Sequence, residues 1–131
     1  MSAGSCEVRH GVKLNRKGFE FGKELVSGGK IMRDERDAWT EDQPCAKEEN
    51  EFIRVHGYEA YAKWHLGIDE EHPEDTKGRY KFPFGDFKRV HRCAVLSAES
   101  RAGQHKYNDL ELAAAHLHEM MDGKKHKARG A

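Results

Sequence analysis

Residues 86–122 constrain the fold of this chain more than any other stretch. Within "NDLELAAAHLHEMMDG", Leu110, Ala113, Ala114, Leu117, Met120 and Met121 recur at i, i+3, i+4, i+7, i+10 and i+11, the spacing of one buried helical stripe. Asn108 stands where an N-cap belongs, and Glu111 follows three residues later, as a capping box requires. Upstream, Asp86 is placed to cap a helix running to about Ala102, with Val90, Cys93, Ala94, Leu96 or Ser97, and Ala98 facing inward and Gly103 as terminator. Only "HKY" turns the chain between the two segments, so they are predicted to pack as an antiparallel hairpin. Ala94, Ala98, Ala113 and Ala114 permit a close approach of the two axes.

The 131 residues suffice for one core and are too few for two ordinary domains, so a single domain over residues 14–122 is expected, with 1–13 and 123–131 as mobile tails. Segment 6–14 is the one part of the first tail that a sheet can capture. "NRKGFEFGKELVSGG" reads as a helix capped by Asn15 and stopped by Gly28 and Gly29. A second helix is expected from about Pro44 to His56, with Phe52, Val55 and His56 on its apolar side and Gly57 as its stop. "YEAYAKWHLGID" reads as a short helix restarted on Tyr58, Tyr61, Ala62, His65 and Leu66 and ended by Gly67. Short strands are expected at Lys30–Arg33 and Arg79–Phe84. The predicted class is therefore mainly α, α+β at most: a compact domain of four or five helices with one or two short strands laid against them.

Formal net charge is zero, with 23 residues of each sign, which argues against bulk attraction to nucleic acid or an acidic membrane. Charge is nevertheless segregated. Residues 31–51 carry three cations against eight carboxylates, a net −5, whereas residues 77–92 carry six cations against Asp86 alone, a net +5. The two segments are able to neutralise one another within the fold. The three cysteines, Cys6, Cys45 and Cys93, form neither a disulfide framework nor a CxxC knuckle, which fits a reducing compartment. No run approaches the 18 apolar residues of a membrane span, and no apolar leader is visible, so a cytoplasmic protein is expected.

Catalytic and metal signatures are weak. On a helix, residues two apart point about 200° from each other, so neither His91 and Cys93 in "HRC" nor His116 and His118 in "HLH" is expected to share an ion. A site assembled from distant segments, such as His65, Asp69, His72 and His91, is open to the fold but not required by the sequence. Cys93 falls on the apolar stripe of its helix, where a small buried thiol is the ordinary role. Ser97 and Ser100 lack a GxSxG turn, and no glycine pattern forms a phosphate loop. No cofactor and no metal are expected.

The stretch "KGRYKFPFGDFKRVHRC" remains. It interleaves Tyr80, Phe82, Phe84 and Phe87 with Arg79, Lys81, Lys88, Arg89 and Arg92, a mixture that can stack bases and hold phosphates. In an extended strand Tyr80, Phe82 and Phe84 would share one face, which suits a stacking platform and a half-buried strand equally well. The candidate partner-binding set is Arg79, Tyr80, Lys81, Phe82, Lys88, Arg89 and Arg92. A binding role requires these cations to form an exposed patch with at least one ring beside them.

Through "ENEFIRVHGYEAYAKWHLGID", "TKGRYKFPFGDFKRVHRCAVLSAESRAGQ" and "NDLELAAAHLHEMMD", the chain resembles a family of small bacterial conserved hypothetical proteins with no assigned activity, over about residues 14–122. The resemblance implies a single bacterial cytosolic domain and assigns no residue a role. The reading adopted is a non-enzymatic binding module for a protein or single-stranded nucleic acid, with no membrane partner. The alternatives are a small enzyme or metal protein using histidines gathered by the fold, and a structural, oligomer-forming protein.

Overall fold

The computed structural model of the chain describes residues 11–35 and 38–130, with the side chains of 40, 42 and 123–130 outside the description. In chain order the elements are β1 (Lys13–Leu14), α1 (Arg16–Ser27), β2 (Ile31–Met32), α2 (Trp39–Asp42), α3 (Ala46–Ala62) and β3 (His65–Ile68). A single 3₁₀ turn at Lys77–Arg79 then leads into β4 (Tyr80–Pro83), β5 (Val90–His91), α4 (Arg92–Gln104) and α5 (Asn108–Gly130). The fold is mainly helical with short strands, as predicted. No helix among the described residues is long and apolar enough to cross a membrane.

The C-terminal helix pair forms, and α4 and α5 make the most extensive contact in the fold. Leu110, Ala113, Ala114, Leu117 and Met121 are buried on α5, as are Ala94, Val95, Ala98 and Ala102 on α4. Leu110, Ala114, Leu117, Met121, Val95, Ala98 and Ala102 join Val26, Trp64, Leu66, Phe84 and Val90 in one core. Arg92 Nε and Nη2 donate to Asp122 at 3.2 and 3.3 Å, and His118 sits between Asp122 and Glu99 at 2.9 and 3.1 Å, so charge closes the hairpin beside the packed stripe.

A three-stranded antiparallel sheet runs β1-β3-β4, with Lys13 opposite Ile68 and Gly67 opposite Lys81. A parallel pair joins β2 to β5, Ile31 opposite Val90. Residue 13, expected in a tail, is thus held in a sheet with residue 14, and α5 continues past Gly123 to Gly130. Residues 1–10 of the expected N-terminal tail lie outside the described residues.

Four local expectations need correction. His65 and Leu66 belong to the central strand β3, not to a helix; a short apolar run has no periodicity that separates the two, and strand partners on both sides decide it. Gly57 does interrupt α3, at φ +86°, but the turn after it ends at Ala62. Val55 lies on the water side of α3, 56% exposed, while Phe52 stacks on Phe87 at 4.3 Å. Asn15 occupies the N-cap position of α1 but turns its side chain away, donating from Nδ2 to the carbonyls of Ala62 and His65 at 2.9 and 3.0 Å.

The fourth correction concerns Asp86. It caps no helix; Oδ1 accepts the amides of Lys88 and Arg89 at 3.0 and 2.8 Å, closing a turn in which Phe87 adopts φ +71°. Helix α4 begins only at Arg92, with His91 as an extended N-cap. Its cap arrives from a distant segment: Asp34 Oδ1 accepts the Cys93 amide at 2.9 Å.

Candidate functional site

Between β4, the outer face of α4 and the α4–α5 turn lies an open cleft of about 770 Å³. Trp39 of α2 stands on its wall, with Tyr80 and Phe82 from β4 and Tyr107 from the turn. Two cations, Lys81 and Arg101, line it, and no Asp or Glu is among its described lining residues.

The rings are fixed by close packing. Phe82 adopts φ +59°, an uncommon conformation for an aromatic residue, and meets Tyr107 edge-on at 6.2 Å. Its ring lies over Gly67, where a Cβ would come within 2.9 Å of Phe82 Cδ2 and 2.6 Å of Val12 Cγ1. Tyr107 stacks on His105 at 5.4 Å. Tyr80 donates from its hydroxyl to the Glu74 carbonyl at 2.7 Å, and burial pushes its pKa up, so it stays neutral.

The seven residues singled out in the sequence do not gather at one cleft. Tyr80, Lys81 and Phe82 line this one. Arg79 donates to the His72 carbonyl at 2.8 Å and lines a second cleft beside β1 and the end of α3. Lys88 and Arg89 are exposed on the Asp86 turn, and Arg92 is engaged with Asp122. Nor do the three strand rings share a face: Tyr80 lies against Tyr61 and His65, Phe82 against Tyr107, and Phe84 is buried beside Trp64. Arg101, Trp39 and Tyr107 were missed because they come from three other segments; the only sequence signal was that Trp39 and Tyr107 stand outside any helical stripe.

Among the described residues, the opposed charge segments meet at two places. Lys77 pairs with Glu49 at 3.1 Å. His91, 4% exposed, is held between two carboxylates, Nδ1 to Asp34 Oδ2 at 2.7 Å and Nε2 to Asp86 Oδ2 at 2.8 Å. Burial opposes charge on this imidazole, but the Asp86 and Asp34 carboxylates, as acceptors and as negative charges, outweigh it and raise its pKa. Donor atoms of Asp34, His91 and Cys93 lie within 4.8 Å of one another. This corrects the expectation that His91 and Cys93 cannot converge. The 200° argument holds for two helical residues, and His91 is extended. The alternative set does not assemble as imagined: His65 is buried against the Tyr61 carbonyl, and His72 approaches Asp69 at 3.7 Å.

Neither protein-family models, nor curated proteins, nor solved structures give a match to this chain.

Proposed function

We propose that the chain is a non-enzymatic binding module whose cleft takes an unpaired base and its flanking phosphates from single-stranded nucleic acid. One observation carries this reading: the cleft combines four aromatic side chains with Lys81 and Arg101, and no carboxylate is among its described lining residues. Aromatic faces stack any base, and cations free of a neighbouring carboxylate attract phosphate. A volume of about 770 Å³ lies in the range of pockets that enclose small ligands. A protein partner would more naturally use exposed apolar area, but the large exposed apolar side chains, Val55 and Leu112, sit singly. A bacterial cytosolic setting belongs to the same proposal.

Fluorescence anisotropy of a labelled oligothymidylate, titrated with protein at several salt concentrations, tests it. Affinity should fall as salt rises, and Lys81→Ala or Arg101→Ala should each reduce the log–log slope by about 0.7. Tyr107→Ala should weaken binding by about 1–3 kcal/mol through lost stacking. No binding at low salt, or binding indifferent to all three substitutions, would overturn the reading.

A further inference from the structure

We propose that Asp34, His91 and Cys93 form a binding site for a divalent transition-metal ion of the zinc class, with Asp86 holding the imidazole from behind. This is independent of the nucleic-acid reading, since none of the four residues lines the cleft. One oxygen, one nitrogen and one sulfur lie within 4.8 Å of one another, close enough for small side-chain rotations to bring them to the bonds of about 2.0–2.3 Å of a single ion.

The donor types select the ion. A thiolate and an imidazole beside one carboxylate suit zinc or cobalt and disfavour magnesium or calcium, which take oxygen ligands. Charge agrees with this choice: Asp34 and a Cys93 thiolate supply two negative charges, which a divalent cation balances in a place where His91 and Cys93 are almost fully buried.

The surroundings supply what a ligand histidine needs. If Nδ1 carries the ion, the ring proton must sit on Nε2, and the Asp86 carboxylate, 2.8 Å from that atom, is the charge that draws it there. Asp86 is itself fixed by the amides of Lys88 and Arg89. Asp34 is oriented by the Cys93 amide, which Oδ1 accepts, and its Oδ2 faces the imidazole at 2.7 Å. Trp39, 5.4 Å from the His91 ring, shields one side. Binding displaces the proton at Nδ1 and the thiol proton, so the ion and protons exchange.

The test uses the full chain, purified without an affinity tag, stripped with chelator and titrated with cobalt(II). The expected result is saturable binding of one ion with a near-ultraviolet sulfur-to-cobalt charge-transfer band, and acidification of a weakly buffered solution. Cys93→Ser should abolish the band, while Cys45→Ser and Cys6→Ser leave it intact. Asp86→Asn should keep the band but weaken binding 10- to 100-fold. Should Cys93→Ser fail to fold by circular dichroism, Asp34→Asn decides, because its amide oxygen still accepts the Cys93 N–H; a loss of tenfold or more in affinity is expected. No charge-transfer band in the parent chain, a band that survives Cys93→Ser, or unchanged affinity in Asp34→Asn would overturn the proposal.

Discussion

Two helices of this chain end in the same hydrogen-bond pattern with different residues at its critical position. After α1, Gly29 donates to the Val26 carbonyl and Lys30 to that of Leu25, with Gly29 at φ +80°. After α4, Lys106 donates to Gly103 and Tyr107 to Ala102, with Lys106 at φ +61°. Both are Schellman closures, whose C′ residue is left-handed and favours glycine because a Cβ crowds the neighbouring carbonyl. "VSGG" made the first readable, whereas "HKY" gives no such sign. Lys106 is exposed and pairs with nothing described, so Lys106→Gly should raise stability by about 1 kcal/mol in urea denaturation. An unchanged or lower midpoint would show that the left-handed lysine is not strained.

At the scale of elements, legibility followed the strength of the local pattern. The α5 stripe spans three turns of one periodicity, so its buried face could be read directly. The apolar run at His65–Ile68 could not be assigned, because four residues satisfy a helix and a buried strand alike. The start of α4 was misplaced because Asp86 is a good cap in isolation, while the cap actually used, Asp34, is 59 residues from Cys93. Contact between α1 and β3 is similarly invisible in sequence. Gly18 is buried where the helix crosses the strand, and a Cβ there would stand 2.1 Å from the His65 carbonyl oxygen and 2.9 Å from Asn15 Nδ2. Since the obstacle is backbone, Gly18→Ala should cost about 3 kcal/mol or more despite its better helix propensity. Thermal unfolding of the variant checks this; a Tm equal to or above that of the parent would contradict the close crossing.

At the scale of the whole molecule, the pairing of acidic and basic segments is selective. His91 and Lys77 find Asp34 and Glu49, but Arg92 turns to Asp122 instead, and Lys81 and Arg101 are left to the cleft. Burial also sets a global response to pH. His65 is almost fully enclosed, and loss of hydration pulls its pKa down to about 4, against a smaller upward pull from the Tyr61 carbonyl. The ionisable groups packed on it, Tyr61 and Tyr80, are both pushed up and stay neutral. Between pH 6.5 and 4 the unfolded chain therefore binds a proton that the folded chain refuses. Stability from this residue is complete above pH 6.5 and declines by about 3 kcal/mol as pH falls to 4. Urea titrations across that interval should show the decline, and His65→Phe should flatten it; equal slopes for both proteins would refute the assignment.

The sequence by itself determined the helical class, the C-terminal hairpin, the buried stripe of α5 and the glycine breaks at Gly28–Gly29 and Gly57, because each is written in residues within one or two helical turns of one another, whereas Gly67 lies inside β3 and α4 runs past Gly103 to Gln104. Only the tertiary structure decided which cations and which rings line the cleft, and that His91 and Cys93 converge on Asp34. Those outcomes depend on sequence separations of 57 and 59 residues and on one extended residue at a helix start, where helical periodicity no longer fixes direction.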